Sequence, residues 1–258
     1  MGKKQDVIRA LFEKCQSQDN FVFHNNLVKE VCKTFSFGNP FDITKIDNSS
    51  LLPDDVKKTD HFIVHLGNGY HQFVKGIAYG YHNFEPILPS ETHDWPYRQS
   101  LLNEFDTSES NILSIASNQR IIHDFLFDDI IAMPKVYLAR RTKHSFEYQI
   151  GTQTIVTKNL QMEIDLTFEY DGQVTVIEGK NGFPADFAVY QLFHPFQYYC
   201  TLEQDHELEI KQIACCYILR TRSKDNSIIR IYCYTFDTNA NISSIRLLKK
   251  AEYKLIQR

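Results

Sequence analysis

Two acidic residues and a lysine stand where they could bind a metal ion and act on a phosphate ester. Asp165 lies in a run of alternating polar and apolar residues, and Glu178 and Lys180 end a second run that is rich in β-branched residues. The dipeptide Asp171-Gly172 separates the two runs, and such a dipeptide between strand-like segments is typical of a β-hairpin. The sequence therefore predicts two neighbouring strands that bring both carboxylates and the ammonium to one end of a hairpin.

The two-residue period of a β-strand predicts which of these side chains share a face. It places Glu163 beside Asp165 on the first strand, residues 161–170, and puts the apolar side chains on the opposite face. Those apolar residues are Met162, Ile164, Leu166 and Phe168. On the second strand, Glu178 and Lys180 share a face. Burying three charges is costly unless they pair or hold a metal, so their convergence indicates a functional site.

Mg²⁺ is the metal ion that suits this set of side chains. Hard cations take carboxylate oxygens, keep several waters and accept phosphate oxygens as further ligands. Asp165 and Glu178 would hold the ion, and Lys180 would orient or deprotonate the attacking water and offset the charge of a phosphate. An alternative is that the two acids are solvated ends of an exposed hairpin, with Lys180 as their salt-bridge partner.

The second half of the chain resembles the nuclease core of the type II restriction endonucleases of the PD-(D/E)XK superfamily. The segments that carry the resemblance are Glu163-Ile-Asp165, Ile177-Glu178-Gly-Lys180-Asn-Gly, Asp186-Phe and Gln191-Leu-Phe-His-Pro195. The resemblance implies four catalytic residues: Asp165 as the first acid of the motif, Glu178 and Lys180 as its E-x-K pair, and Gln191 as a helix glutamine. Ile164 replaces the proline of the motif, which is frequently missing in this superfamily.

The resemblance implies an α/β (α+β) fold with a mixed sheet flanked by helices. It also implies Mg²⁺-dependent hydrolysis of specific double-stranded DNA by the nuclease of a restriction-modification system, with a DNA methyltransferase as its genetic partner. A palindromic target would require a homodimer, because each subunit offers one site per strand. Two alternatives remain open: a non-catalytic winged-helix DNA-binding regulator, and a structure-specific DNA repair nuclease with the same active site.

Two further acids are candidate metal ligands. Glu109 opens a predicted helix before the core strands, where members of this superfamily often place an additional carboxylate. Helix N-termini favour acidic residues in any case, because of the helix dipole. Glu163 is predicted to share a face with Asp165, and its alternative is a surface charge.

The first 80 residues predict a small winged-helix-like domain. Apolar residues at helical spacing predict helices over residues 4–18 and about 27–35, and a glycine-rich turn between apolar runs predicts a hairpin over residues 61–76. The loop between them resembles a leader-domain loop of the same restriction enzymes. Within it, Lys45 is a candidate DNA contact, or else it fixes the loop by a salt bridge with Asp47.

The rest of the chain predicts a connection followed by a nuclease domain. Residues 81–108 are rich in aromatics, proline and histidine and predict an irregular connecting segment, closely docked to both parts. Residues 109–258 predict the nuclease domain. Thr107 or Ser108 is expected to cap a helix that runs to about Phe125, and Asp186 to cap one that runs to about Leu202.

Positive charge is unevenly distributed on a chain whose net charge is −4. Basic runs occur at residues 135–144, 220–230 and 246–258. The first run has no acidic residue and immediately precedes the predicted hairpin, so Arg140, Arg141 and Lys143 are predicted to contact DNA backbone or base edges. Each run could also be an ordinary solvated face.

The sequence predicts a cytoplasmic protein that does not span a membrane. No apolar run reaches 18 residues, and the N-terminus fits neither a signal peptide nor a myristoylation signal. The six cysteines form no C-x-x-C pair and are predicted to be buried reduced thiols.

Overall fold

The structure is a computed structural model that describes residues 2–98, 100, 108–223 and 227–257. Thr107, one of the two predicted helix caps, lies outside these residues, as do Lys224 and Arg258 of the basic runs.

Three helices and a three-stranded antiparallel sheet form the N-terminal part. Its elements are α1 (Lys3–Ser17), β1 (Val22–His24), α2 (Asn25–Thr34), α3 (Asp54–Lys58), β2 (His61–Gly67) and β3 (Tyr70–Lys75). The strand order is β1-β3-β2. Both predicted helices and the predicted hairpin are confirmed, because the apolar stripes of α1 and α2 are buried and β2 pairs with β3.

A mixed seven-stranded sheet lies at the centre of the remaining chain. Its order is β5-β14-β13-β12-β10-β9-β6, with β10 parallel to β12 and β14 parallel to β5. The mixed sheet with flanking helices that the sequence predicts is confirmed at this level. The elements are α4 (Ile77–Gly80), β4 (Tyr81–Asn83), β5 (Thr92–Tyr97), α5 (Glu109–Asn118), α6 (Ile121–Phe127), β6 (Lys135–His144), β7 (Glu147–Ile150), β8 (Gln153–Val156), β9 (Leu160–Tyr170), β10 (Gln173–Asn181), β11 (Asp186–Ala188), α7 (Tyr190–His206), β12 (Gln212–Arg222), β13 (Ser227–Phe236) and β14 (Ile245–Gln257).

Helices cover both faces of this sheet. Helices α5 and α6 pack on one face, and α7 packs on the other together with the N-terminal part. The central strand β12 is buried along most of its length, as expected for a strand covered on both faces. One apolar cluster runs without a break from α1 to α7, so the N-terminal part and the sheet share a core.

Strand β9 differs from the simple two-residue pattern. Met162 and Ile164 pack in the cluster on the α7 side, whereas Leu166 and Phe168 pack in the cluster on the α5 side. The prediction that these four side chains share one face is therefore wrong. Asp165 lies between Ile164, which packs in the cluster on the α7 side, and Leu166, which packs in the cluster on the α5 side.

The segment predicted to be an irregular connection contains regular structure. β4 pairs with β11, and β5 forms one edge of the central sheet by pairing with β14. The prediction of an irregular 81–108 segment is thus wrong for these two strands. Its aromatic residues explain the result, because Tyr97 is buried in the sheet and Trp95 packs against it.

Two predicted helices begin or end at other residues. The helix that Ser108 caps ends at Asn118, because Arg120 has a left-handed backbone (φ 62°) and a second helix begins after it. Asp186 does not cap α7; it lies in β11, and its carboxylate accepts a hydrogen bond from the backbone N–H of Ser49 at 2.8 Å.

None of the helices in the described residues is both long and apolar enough to cross a membrane. All six cysteines are free thiols; five are buried and Cys200 is half-buried.

Candidate active site

The end of the β9–β10 hairpin brings the predicted catalytic residues together. The Lys180 ammonium lies 3.0 Å from a carboxylate oxygen of Glu178, and the backbone N–H of Gly179 donates a hydrogen bond to Asp165 Oδ2 at 3.2 Å. The Asp165 side chain is therefore fixed against the strand that carries the other two. Side-chain exposure is only 14% for Glu178 and 19% for Lys180, so Glu178 is not a solvated hairpin end, although Lys180 is its salt-bridge partner as that alternative expects.

Helix α5 adds a third carboxylate from the other side of the strand. Glu109 is the first residue of α5, and its carboxylate lies 3.4 Å from the Lys180 ammonium. Gly179 leaves room for the start of α5, since a Cβ there would lie 3.0 Å from the Glu109 carbonyl oxygen. Glu109 thus lies beside the acidic residues of the hairpin, where the sequence predicts it.

A fourth carboxylate comes from the N-terminal part. Asp47 Oδ2 lies 3.8 Å from the Lys180 ammonium, so its ion pair is with Lys180 and not with Lys45. Its other oxygen, Oδ1, accepts a hydrogen bond from Gln191 Nε2 at 3.3 Å. The hydroxyl of Tyr217 in turn donates to Gln191 Oε1 at 2.8 Å. Gln191 is therefore held by both of its amide atoms beside the lysine.

Burial and neighbouring charge shift the protonation of this cluster. Burial, together with the nearby Asp165 and Glu109 carboxylates, raises the pKa of Glu178 to about 8, although Lys180 opposes the change. Burial lowers the pKa of Lys180, but the Glu178, Asp47 and Glu109 carboxylates outweigh it and raise that pKa above its ordinary value. Lys180 is consequently an ammonium at neutral pH, whereas Glu178 holds a proton more tightly than an exposed carboxylate does.

The raised pKa of Glu178 predicts a stability that depends on pH. The folded protein binds this proton more tightly than the unfolded chain, so folding stability is lost as pH rises from about 4.5 to about 8. In the presence of EDTA, Glu178→Gln should remove this loss and gain stability relative to the wild type by on the order of a kcal/mol or more at pH 8. Urea unfolding of both proteins at pH 5 and pH 8 measures this difference in the free energy of unfolding.

The control for that experiment is Glu169→Gln, which alters a carboxylate whose pKa is lowered by its hydrogen bond to Lys135. This control should show no gain at pH 8. Equal pH dependence of stability in the wild type and in Glu178→Gln would show that Glu178 does not cause the loss of stability between pH 5 and pH 8.

A cleft of about 1120 Å³ passes over the cluster. Its walls come from the loop and hairpin of the N-terminal part, from α5, from β6 and β9, and from the start of α7. Of the predicted site residues, those that line it are Lys45, Glu109, Arg141, Lys143, Glu163, Asp165, Glu178, Lys180 and Gln191.

The predicted basic residues of β6 do not all face the cleft. Arg141 and Lys143 line it, but Arg140 donates a hydrogen bond to the Tyr199 hydroxyl at 3.1 Å and stacks on Tyr198 of α7. The prediction that Arg140 belongs with the other two is therefore not supported by its contacts. Alternation along a strand explains the difference, because Arg140 and Arg141 point to opposite faces.

Glu163 takes part in a different interaction from the four clustered carboxylates. Its Oε2 lies 3.3 Å from Arg141 Nε, directly across the β6–β9 ladder. The side chain is half exposed at the rim of the cleft. This ion pair favours the surface-charge alternative for Glu163 over a place among the metal ligands.

Cations of the two later basic runs are engaged elsewhere. Arg220 is buried and donates to Ser227, and Arg230 pairs with Glu252. In the last run, Arg246 and Lys249 pair with acidic neighbours at 3.1 and 2.9 Å. The basic run nearest the hairpin is thus the one that reaches the cleft.

Two family models match consecutive parts of the chain. Residues 76–254 match the model of a domain of unknown function, DUF6997. The chain belongs to the DUF6997 family. Residues 5–73 match a second domain of unknown function, DUF6996. No curated protein and no solved structure matched the chain.

The two matched segments both contribute to the cluster. Glu109, Asp165, Glu178 and Lys180 lie in the DUF6997 segment, whereas Asp47 lies in the DUF6996 segment. Sequence reasoning treated Asp47 as a loop residue and missed its part in the site. A signal was present in the loop, because Ile43 and Ile46, which precede Asp47, are apolar residues in a turn-rich segment and predict a loop packed against a core.

Proposed function

We propose that this chain is a Mg²⁺-dependent nuclease of the PD-(D/E)XK type that cleaves specific double-stranded DNA, as the restriction enzyme of a restriction-modification system. The observation that carries the proposal is the convergence of Asp165, Glu178 and Lys180 at the end of one hairpin, inside a cleft. Glu109 and Gln191, the other two residues expected near such a site, come to the same place.

The order of elements supports the same reading. Helix α5, the β9–β10 hairpin, helix α7 and strand β12 follow each other in the order expected of this nuclease core. Strands β10 and β12 are parallel neighbours joined through α7, as in an α/β crossover. In the N-terminal part, the helices followed by the β2–β3 hairpin support a winged-helix-like module.

Asp165 and Glu178 fit Mg²⁺ as ligands. Among the described residues no three acidic, histidine or cysteine side chains form a group that could hold a metal ion, yet Mg²⁺ is typically held by one or two carboxylates together with water and phosphate. Burial is the main cause of the raised pKa of Glu178, and the nearby Asp165 and Glu109 carboxylates add to it; a cation bound there would favour the charged form of Glu178. When bound there, the ion would polarise the phosphate and lower the pKa of an attacking water.

The side chains around it have separate parts to play. Lys180, held as an ammonium by three carboxylates, orients the attacking water and offsets the charge that develops on the phosphate. Its raised pKa disfavours the alternative in which it removes a proton from water. The Gln191 amide donates a hydrogen bond to Asp47 and accepts one from Tyr217, and these two contacts hold it in one orientation.

Digestion of unmethylated plasmid and phage DNA in Mg²⁺, followed by sequencing of the ends, tests the proposal. Restriction predicts discrete fragments that share one short sequence at every end, and protection of DNA methylated at that sequence. Cuts at branches, flaps or lesions without a shared sequence would favour the repair nuclease. DNA binding without any cleavage would favour the non-catalytic regulator.

The cleft residues of β6 predict how binding depends on salt. Each phosphate contact that is removed should lower the slope of log affinity against log salt by about one unit. The Arg141→Ala/Lys143→Ala double variant should therefore lose up to two units of slope on cognate duplex. Binding is measured in Ca²⁺ across a salt series, so that the duplex stays intact.

Arg246→Ala/Lys249→Ala is the matched control, since it also removes two charges but from exposed ion pairs of β14. It should leave the slope nearly unchanged. If both double variants lower the slope equally, β6 is not the DNA-contacting strand.

Sedimentation of the protein with and without a palindromic duplex tests the expected homodimer.

A further inference from the structure

We propose that Asp47 is a positioning residue of this site, through which the N-terminal part holds Lys180 and Gln191 in their working places. The inference rests on the proposed nuclease function and adds a residue that the motif of that function does not contain. Its consequence is that the DUF6997 segment, residues 76–254, has an incomplete site without the segment that precedes it.

Asp47 contacts two different members of the site with its two carboxylate oxygens. Oδ2 lies 3.8 Å from the Lys180 ammonium, and Oδ1 accepts the hydrogen bond from Gln191 at 3.3 Å. Lys180 comes from β10 and Gln191 from the first turn of α7. A single carboxylate therefore sets the relative position of two side chains that belong to separate elements.

The loop that carries Asp47 is fixed to the nuclease part by its backbone. The Asp47 carbonyl oxygen accepts a hydrogen bond from Ala188 N–H at 2.8 Å, only three residues before Gln191. Ser49 hydrogen-bonds the carboxylate of Asp186 through both its backbone N–H and its hydroxyl. The preceding Ile46 is 1% exposed, within the core that both parts share. The carboxylate of Asp47 is thus presented by an anchored loop.

Neutralising Asp47 should make Lys180 more mobile, although other acidic partners remain beside it. Lys180 would keep Glu178 and Glu109 as partners, both supplied by the nuclease part, and would lose the one on the opposite wall of the cleft. Gln191 would lose a charged acceptor. Because hydrogen bonds to charged groups are stronger than those to neutral ones, Asn at position 47 should restrain Gln191 less.

Asp47→Asn is the main test, because it keeps the size of the side chain and removes the charge. We expect the single-turnover cleavage rate at saturating protein to fall by a factor of about 10 to 10², from loss of positioning. Duplex affinity without divalent ion and the melting temperature should stay at the wild-type values. Asp47→Glu, which restores the charge, should recover part of the rate.

Asp42→Asn is the matched control. Asp42 lies in the same loop region, is half exposed and pairs with Lys4 of α1 at 3.2 Å. Its substitution therefore removes the same charge as Asp47→Asn but leaves the site untouched. It should cleave like the wild type. A double-mutant cycle adds a second measure: Asp47→Asn and Gln191→Ala should combine to less than the product of their separate effects.

A readout that needs no cleavage keeps this inference separate from the proposed function. Trace labelling of amines with acetic anhydride, followed by mass spectrometry, measures the reactivity of Lys180 directly. Lys180 should be acetylated several-fold faster in Asp47→Asn than in the wild type and in Asp42→Asn. If the wild type does not cut DNA but this labelling difference is found, the nuclease proposal fails and the positioning role stands.

Three results would overturn the positioning role. One is wild-type cleavage by Asp47→Asn, together with unchanged labelling of Lys180. Another is an equal loss of rate in Asp42→Asn. The third is a loss of rate that follows an equal drop in melting temperature for both Asp47→Asn and Asp47→Glu, which would make Asp47 a residue of the fold alone.

Discussion

Replacement of either Asp165 or Glu178 by alanine should abolish cleavage while leaving DNA binding largely intact. These carboxylates are the proposed ligands of Mg²⁺, and loss of a metal ligand removes several kcal/mol of transition-state stabilisation, a factor of roughly 10³ or more in rate. Binding should persist or tighten slightly, because a carboxylate in the cleft repels phosphate. Cleavage in Mg²⁺ and duplex affinity in Ca²⁺ are measured on the same preparations.

Glu169→Ala serves as the matched control for these two variants. Glu169 also lies on β9, but at its far end, where it pairs with Lys135 at 2.8 Å and accepts from the Tyr137 hydroxyl. This variant should cleave at the wild-type rate. Cleavage by Asp165→Ala or Glu178→Ala at a rate near that of the control would show that the metal-binding residues have been assigned wrongly.

The part of the site that the sequence predicts well is local. Asp171 and Gly172 both adopt positive φ, 47° and 78°, as a two-residue hairpin turn of the favoured hand requires. That turn fixes the register of β9 against β10, and the register carries Asp165 to the strand that bears Glu178 and Lys180. The types and order of fewer than twenty consecutive residues therefore suffice to predict that Asp165, Glu178 and Lys180 lie close together.

Residues that arrive from distant parts of the chain are not predictable in this way. Asp47 reaches Lys180 across more than a hundred positions, and its approach depends on a core shared between the N-terminal part and the sheet. No periodicity encodes that packing. Strand β5 is another case, because its pairing with β14 joins segments that the sequence separates by most of the sheet.

Local conformation also overrides helical periodicity where a single residue departs from it. The apolar stripe continues from α5 into α6, yet the left-handed backbone of Arg120 separates them. At this break, the carbonyl oxygen of Gln119 accepts a hydrogen bond from the indole N–H of Trp95 at 2.9 Å. An apolar stripe indicates which side is buried and does not by itself fix where a helix ends.

Lys180→Ala should reduce the cleavage rate by a factor on the order of 10²–10⁴, the size typical of a group that handles water and charge in the transition state. The structure gives this loss a specific cause: an ammonium held by Glu178, Glu109 and Asp47 disappears from the point where they converge. The concentration of Mg²⁺ at half-maximal rate should not rise, because unpaired carboxylates attract a cation more strongly. Single-turnover rates across a Mg²⁺ series measure both quantities.

Lys211→Ala is the control, since Lys211 pairs with Asp171 at the opposite end of the same hairpin and is well exposed. Exposed pairs of this kind contribute little, so the control should match the wild type. Two outcomes divide the roles of Lys180. A deficit that persists at every Mg²⁺ concentration assigns it to the reaction itself, whereas full rescue by excess Mg²⁺ would reduce it to a structural partner of the carboxylates.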